Sequence, residues 1–198
     1  MKNLKFSALL IALMVFVATS ANAQKFHYGI TAGTNFAVQS GIAEYYDNSD
    51  IRVGLHAGLA GSYAFNDNLA LRSELTYDQK GRKTDEVTDR YDYITLPVLF
   101  DYSFKLSDQS GTKMHLNAGP FASYLVNAES ETSDATIDLK SDSNDMEAGA
   151  IMGIGVEQPV GSHSIYMDLR LNLGLTNYSK NDDSSHNKMI GLSVGYRL

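Results

Sequence analysis

The sequence contains no cysteine, so disulfide bonds cannot stabilise its fold, although export would permit them. After residue 23 it has no apolar run approaching the ~20 residues that a membrane-spanning helix needs. Basic residues are also scarce: 16 lysines and arginines stand against 23 aspartates and glutamates, whereas a nucleic-acid-binding protein usually presents a basic face. These absences exclude a disulfide scaffold and a multi-helix membrane protein, and they argue against nucleic acid as a partner.

The sequence also lacks the motifs that signal common catalytic or nucleotide-binding sites, namely a P-loop, a Gly-rich dinucleotide fingerprint, HExxH and G-x-S-x-G. The acidic segment 129–145 does not have the aspartate spacing of a calcium-binding hand. Residues 182–186, DDSSH, combine acids, serines and a histidine, but sequence neighbours rarely converge as nucleophile and base. We therefore predict no enzymatic activity, no cofactor and no metal site.

The first 23 residues have the three parts of a secretory signal peptide. Lys2 and Lys5 give a positively charged start, residues 6–17 form a short apolar run, and residues 21–23 read Ala-Asn-Ala, a cleavage-site pattern. We predict a signal peptide at residues 1–23 and one domain at residues 24–198.

After this segment the chain repeats one pattern, in which apolar and polar side chains alternate. In residues 165–175, IYMDLRLNLGL, isoleucine, methionine and leucine occupy every second position. This period puts them on one face of a β-strand, whereas a helix would scatter them around its circumference. Eight segments alternate in this way: 28–37, 51–65, 69–79, 91–105, 113–126, 146–158, 163–177 and 187–198.

The connections between these segments alternate in length. Short ones lie near residues 66–68, 107–112 and 159–162, and long ones at 38–50, 80–90, 127–145 and 178–186. Short turns on one side and long loops on the other are typical of an outer-membrane barrel. The pattern predicts an all-β fold, an eight-stranded antiparallel transmembrane β-barrel with short periplasmic turns and long extracellular loops. Most of the acids fall in those loops, which predicts an acidic outer rim able to attract cations or a basic partner.

The apolar face of the strands carries aromatic residues near its two ends. At the short-turn end they are Tyr28, Tyr63, Phe65, Tyr102, Phe104 and Tyr196, and at the other end Phe36, Tyr77 and Tyr124. Aromatic rings favour membrane–water interfaces, so the arrangement predicts a lipid-facing wall. A soluble lipocalin-like barrel with an apolar lumen is the alternative that alternation alone leaves open.

The polar face combines balanced charges with many glycines. An eight-stranded barrel is only wide enough inside for side chains to fill, and an unpaired charge is costly there. We therefore predict that acids and bases pair inside the barrel and make the lumen a polar plug. The predicted lumen residues are Arg52, His56, Arg72, Glu74, Asp101, Lys105, His115, Glu147, Glu157, Asp168, Arg170 and Arg197.

Residues 93–102, YITLPVLFDY, place a proline inside the fourth strand. Pro97 has no N–H to give to a β-ladder. We predict a bulge or a locally broken ladder at this point, with Pro120 of the next strand in the same irregularity. Asp101, on the polar face, is predicted to reach a base inside the barrel.

Four stretches together resemble one known family. YITLPVLFDY (93–102), NAGPFASYLV (117–126), DLRLNLGLTN (168–177) and IGLSVGYRL (190–198) are similar to the bacterial outer-membrane β-barrel domain family, often labelled porin-family proteins. The resemblance covers nearly the whole chain after the signal peptide. It implies a small monomeric barrel in the cell outer membrane, inserted by the barrel assembly machinery and surrounded by outer-membrane lipid and lipopolysaccharide.

These observations predict a non-enzymatic barrel with a role in envelope integrity or in interactions made by its loops. Two alternatives stay open at this point. Some eight-stranded barrels are enzymes that modify outer-membrane lipid, and a small diffusion porin would share the same alternation. The sequence does not name the partner of the loops.

Overall fold

The computed structural model describes residues 26–40, 51–84, 87–107, 109–132, 135–180 and 186–198. The predicted signal peptide and residues 181–185 lie outside these ranges. The described chain forms nine β-strands and one short 3-10 helix at Lys140–Asp142. The strands are β1 (Phe26–Ser40), β2 (Arg52–Ala64), β3 (Leu69–Lys83), β4 (Val87–Lys105), β5 (Lys113–Thr132), β6 (Thr136–Asp138), β7 (Met146–Val160), β8 (His163–Gly174) and β9 (His186–Arg197).

The eight long strands form one closed barrel. Each pairs antiparallel with the next long strand, β5 pairs with β7, and β1 pairs with β9 to close the ring. The connections 65–68, 106–112 and 161–162 lie at one end, which we call the turn end. The other end is the loop end. Leu198 bonds through its N–H to the carbonyl of Tyr28, so the C-terminus lies at the turn end. The predicted eight-stranded antiparallel barrel is confirmed.

No helix within the described ranges is long and apolar enough to cross a membrane.

The two faces of the barrel wall have opposite chemistry. In β8, Ile165, Met167 and Leu169 are each about half exposed. Asp168 and Arg170, at the alternate positions, are buried. The same alternation of exposed and buried residues runs along β9 and most of β7, although the buried face there also includes Met189 and Ile151. A soluble lipocalin-like barrel would bury its apolar face. The apolar residues instead form the outer surface, as in a barrel that contacts lipid.

The aromatic residues follow the predicted belts. Tyr28, Phe65 and Tyr102 are exposed on the outer surface near the turn end, and Phe36 and Tyr124 near the loop end. Since tyrosine and phenylalanine rings prefer the two membrane interfaces, these positions mark the borders of the apolar band.

Two predicted loops are partly strand. In the predicted loop 127–145, β5 continues to Thr132 and β6 follows at Thr136–Asp138. Residues 80–90 were expected to form a long connection, but β3 continues to Lys83 and β4 begins at Val87. Lys80 is buried in the lumen, and Asp89 is buried in contact with Arg82. Above the apolar band, polar side chains occupy both faces of a strand, so the alternation that revealed the other strands disappears here.

The irregularity around Pro97 differs from the prediction in one respect. The register shift lies five residues earlier, where Asp92 pairs with Asn127 but Tyr93 pairs with Leu125. Pro97 keeps the register, since it pairs with Phe121. The β3–β4 ladder nevertheless passes from Ser73↔Val98 to Thr76↔Thr95 without the two pairs between, so the predicted break in the ladder is confirmed. Ser73 Oγ donates to the Pro97 carbonyl at 2.8 Å and satisfies it there.

Candidate functional site

Four charged side chains from β3 and β8 meet at the centre of the lumen. Arg72 Nε lies 2.8 Å from Glu74 Oε1, and Arg72 Nη2 lies 2.7 Å from Asp168 Oδ2. Arg170 donates to both oxygens of Glu74, at 2.7 and 2.9 Å, and to Asp168 Oδ2 at 3.0 Å. All four side chains are buried. Within this group each arginine therefore has two acidic partners and each acid two basic ones, in the charge-assisted geometry that gives strong hydrogen bonds. We call these four residues the central network.

The central network extends to β4 and β5. His115 Nε2 lies 2.6 Å from Asp168 Oδ1, and Asn117 donates to the same oxygen at 3.3 Å. Arg72 Nη1 lies 3.6 Å from Asp101 Oδ2, which is the base that Asp101 was expected to find. Strands that are distant in sequence are thus joined across the interior.

A second polar cluster surrounds Asp78, closer to the loop end. Asp78 Oδ1 accepts a hydrogen bond of 2.9 Å from Asn35 and lies 2.7 Å from His56 Nδ1, while Oδ2 accepts a bond of 2.7 Å from Thr76. The cavity between this cluster and the central network is about 20 Å³. A space of that size holds about one water molecule.

Lys80, two residues further along β3, forms the next layer. Its Nζ lies 2.8 Å from Glu147 Oε2 and 4.9 Å from the ring centroids of both Tyr93 and Phe121. Lys80 and Glu147 are almost fully buried. The ammonium is therefore held by one carboxylate and by the faces of two aromatic rings, both of which attract a cation.

An apolar cluster closes the lumen at the loop end. It consists of Tyr91, Tyr93, Leu125, Ala128 and Tyr178, with Leu139 packed against it. Tyr178 comes from the connection between β8 and β9, and its ring meets the ring of Tyr91 edge to face with centroids 5.5 Å apart. Asn144 fixes this connection by donating to the carbonyls of Asn177 and Ser179.

At the turn end the lumen opens into a cavity of about 450 Å³. Arg197 Nη1 lies 2.6 Å from Glu157 Oε2 in its wall. The buried ring of Tyr166 contacts the guanidinium groups of both Arg72 and Arg197, at 4.3 and 5.3 Å from its centroid. Tyr166 therefore connects this pair to the central network, whose four residues do not line the cavity.

Several glycines of the polar face make room for these large side chains. A methyl group placed on Gly174 would lie 2.6 Å from Glu147 Oε1, and one on Gly195 would overlap the ring of Tyr166. On Gly155 it would lie 2.6 Å from Asp168 Oδ1. These three glycines are thus the counterpart of the filled lumen, because an interior this narrow cannot hold both a Cβ and the network. At Gly29, Gly33 and Gly58 a methyl would instead meet a backbone carbonyl of the neighbouring strand.

We expect Gly155→Ala to destabilise the barrel by about 1–3 kcal/mol, the usual effect of overpacking a filled interior. Urea unfolding in lipid vesicles, followed by tyrosine fluorescence, measures it. The matched control is Gly61→Ala, because a methyl on Gly61 would meet nothing closer than 3.4 Å. Equal unfolding midpoints for the two variants would show that the network does not fill the lumen at Gly155.

The structure brings most of the predicted lumen residues together. Arg72, Glu74, Asp101, His115, Asp168 and Arg170 share the central network and its extensions. His56 belongs to the Asp78 cluster, Glu147 contacts Lys80, and Glu157 pairs with Arg197.

Two of the predicted residues lie apart from this group. Arg52 is the first residue of β2 and donates to the Lys80 carbonyl at 3.0 Å, whereas Lys105 is the exposed last residue of β4. Side chains at strand ends reach the rim of the barrel, so the alternation that assigns a face does not place them in the lumen.

The sequence reasoning missed Asp78 and Lys80, which the structure places in the lumen. Asp78 lies within the predicted strand 69–79 and continues the series of every second residue from Arg72 and Glu74, so the alternation could have found it. Lys80 lies in the segment that was predicted as a loop, where the alternation no longer applies. Tyr93 and Tyr166 also point inward. Their rings pack against Lys80 and Arg72 respectively, so these two tyrosines do not belong to the lipid-facing belts.

The described residues contain no group of three or more acids and histidines that could hold a metal ion. His56 and His115 contact carboxylates inside the lumen, away from the lipid face on which a lipid-modifying enzyme would need its nucleophile. Of the DDSSH segment, the described part is His186, the first residue of β9; residues 182–185 lie outside the described ranges.

A model of the family described as outer membrane protein beta-barrel domain matches residues 22–180 of the sequence. The chain belongs to this family. It is a barrel of the outer membrane, and its turn end and loop end are accordingly its periplasmic and extracellular ends. No curated protein matches the sequence.

The chain is similar to solved structures at low sequence identity. Neisserial surface protein A is 14% identical, with a TM-score of 0.54, over 86% of this chain and 95% of that one. The attachment invasion locus protein Ail of Yersinia pestis is 13% identical, with a TM-score of 0.47, over 88% and 99% of the two chains. OprG of Pseudomonas aeruginosa is 12% identical, with a TM-score of 0.49, over 88% and 96%.

Proposed function

We propose that this outer-membrane barrel is a non-enzymatic protein with a closed lumen, which acts through its lipid-facing wall and its extracellular end. One observation carries the proposal: successive layers of paired side chains fill the interior from the periplasmic cavity to the apolar cluster. The layers are the central network, the Asp78 cluster and the Lys80–Glu147 pair.

Opening such a lumen would be energetically costly. A permeating ion needs a continuous water path, and the space between the inner layers is about 20 Å³, enough for about one water molecule. Widening it would separate buried ion pairs, and removing one partner of a buried pair typically destabilises a protein by about 3–5 kcal/mol. This argument favours a closed barrel over a diffusion porin.

The outer wall supports contact with lipid around the barrel. Leu59, Phe100 and Met167 are each more than half exposed on the outward face, which in water would be an unusually large apolar surface. We propose that the protein is a monomer inserted by the barrel assembly machinery, with outer-membrane lipid and lipopolysaccharide as its permanent neighbours.

The closed lumen predicts the electrical behaviour of the protein. Folded barrel reconstituted into planar bilayers should give no stable current steps, because the layers leave no continuous water path. The faster gel migration of the unheated sample, which is typical of folded barrels, confirms that folded protein was added. A diffusion porin, reconstituted into a planar bilayer in parallel, is the positive control for insertion of protein into the bilayer. Reproducible, long-lived channel openings by the folded protein would contradict the proposed function.

A further inference from the structure

The sheet of β3, β4 and β5 continues beyond the barrel at the extracellular end, and β6 forms its edge. β6 pairs with β5 through Glu129↔Asp138, Ser130↔Ile137 and Glu131↔Thr136. Within the described ranges it is the last strand of the sheet, and all three of its residues are exposed. A strand at the edge of a sheet carries backbone groups that can pair with another chain.

The hydrogen bonds on either side of β6 show which backbone groups face outward. Thr132 donates to the Ala135 carbonyl and Leu139 donates to the Ala128 carbonyl, both at 2.9 Å. Hydrogen-bonded pairs alternate along an antiparallel ladder, so Ile137 is the residue of β6 that bonds to β5. The N–H and C=O groups of Thr136 and Asp138 therefore point away from β5.

One face of this edge is acidic. Glu129, Glu131 and Asp138 lie together at the paired positions of β5 and β6. Arg90 lies opposite Glu129, but its guanidinium bonds to Asp92 at 2.8 and 3.0 Å, and these bonds raise the pKa of Arg90.

Lysine from the neighbouring helix does not cancel this charge. Lys140 Nζ donates to the Val126 carbonyl at 2.9 Å, the carbonyl of the extra residue at the register shift. Arg90 is bonded to Asp92, and the three carboxylates outnumber the single ammonium of Lys140, so the face of the edge strand keeps an excess of negative charge.

The opposite face of the edge is apolar at its centre. Ile137 is 55% exposed and lies between the two residues whose backbone groups point outward. An extended chain added to this edge would place successive side chains on opposite faces. Side chains on one face of the added strand would therefore meet the acids, and those on the other face would meet Ile137.

We propose that the edge of β6 that points away from β5 binds an extended segment of a partner protein as an added β-strand, in which basic residues alternate with apolar ones. Backbone hydrogen bonds from Thr136 and Asp138 hold the segment, and the acidic row together with Ile137 selects its sequence. The inference rests on the proposed function in one respect, since it takes β6 to face the extracellular space.

The test uses the folded barrel in detergent micelles and a short capped peptide of alternating lysine and valine, with binding followed by calorimetry. We expect saturable binding that weakens with added salt. Two matched peptides should bind about tenfold more weakly or worse: the same sequence with every internal amide methylated, and a peptide of alternating glutamate and valine. No binding by the lysine–valine peptide overturns the proposal. Equal binding by the methylated peptide also overturns it, because charge alone would then explain the affinity.

Substitutions of Thr136 locate the binding edge. Thr136→Pro removes an N–H that points away from β5 and leaves the bonds to β5 intact, so it should weaken binding of the lysine–valine peptide about tenfold while the barrel stays heat-modifiable. Thr136→Val, which keeps the N–H, should bind as the wild type does. Unchanged binding by a folded Thr136→Pro variant overturns the assignment to this edge. These results are independent of bilayer conductance, so the strand-addition proposal and the closed lumen can fail separately.

Discussion

Replacing Leu169 by arginine should prevent most of the protein from folding into membranes. Leu169 lies on the outward face of β8, is 50% exposed, and pairs with Ile154 and Leu192 on its two sides. An arginine at the bilayer midplane destabilises a barrel by about 2–4 kcal/mol. Refolding into lipid vesicles, measured as the fraction of heat-modifiable protein, should fall sharply for Leu169→Arg.

The matched control is the same substitution at Leu106. Leu106 is as exposed as Leu169, but it follows β4 at the turn end, beyond the belt residue Tyr102. Near the interface the effect of an arginine falls to about 0–1 kcal/mol, so Leu106→Arg should refold almost as well as the wild type. Equal losses for the two variants would mean that depth in a membrane does not distinguish them.

Replacing Glu147 by leucine should be among the most destabilising changes in the lumen. Glu147 is the carboxylate that lies 2.8 Å from Lys80 Nζ, and the substitution would leave a buried ammonium without the carboxylate that pairs with it. Loss of one partner from a buried ion pair destabilises by about 3–5 kcal/mol. Urea unfolding in lipid vesicles measures the change in the free energy of unfolding.

The double variant Lys80→Met/Glu147→Leu separates charge from packing. It removes both charges and keeps side chains of similar size, a change that is often neutral or stabilising in proteins. We expect it to be markedly more stable than Glu147→Leu alone. A double variant as unstable as the single one would show that the pair contributes through shape and that its charges are unimportant.

The barrel could be predicted because a membrane constrains every strand in the same way. In β8 each second residue from Ile165 contacts lipid and each one between contacts the lumen, so the sequence carries an uninterrupted period of two. Beyond the apolar band this constraint no longer applies, and there the strand prediction failed. The strands on both sides of residues 84–86 extend beyond the apolar band, and their polar residues on both faces resemble a loop.

The interior was predictable in composition but not in pairing. Alternation places Arg72, Glu74 and Asp168 on the inner face, yet it does not show that Arg72 meets an acid 96 positions away. That contact depends on how the strands are staggered around the barrel, which no local pattern encodes. Asp78 is different, since it continues the inward series of β3 and could have been assigned from the sequence.

The most direct test of a lipid-facing wall around a closed lumen is paramagnetic broadening of methyl signals in the native barrel, recorded by NMR in lipid nanodiscs. Ile154, Leu169 and Leu192 face outward, whereas Ile151 and Met189 are buried inside the barrel. A nitroxide carried on the lipid tails should broaden the first group, and a water-soluble gadolinium chelate should broaden neither group. Broadening of Ile151 and Met189 by the chelate would reveal an open lumen, and broadening of Leu169 and Leu192 by it would show that the apolar wall faces water.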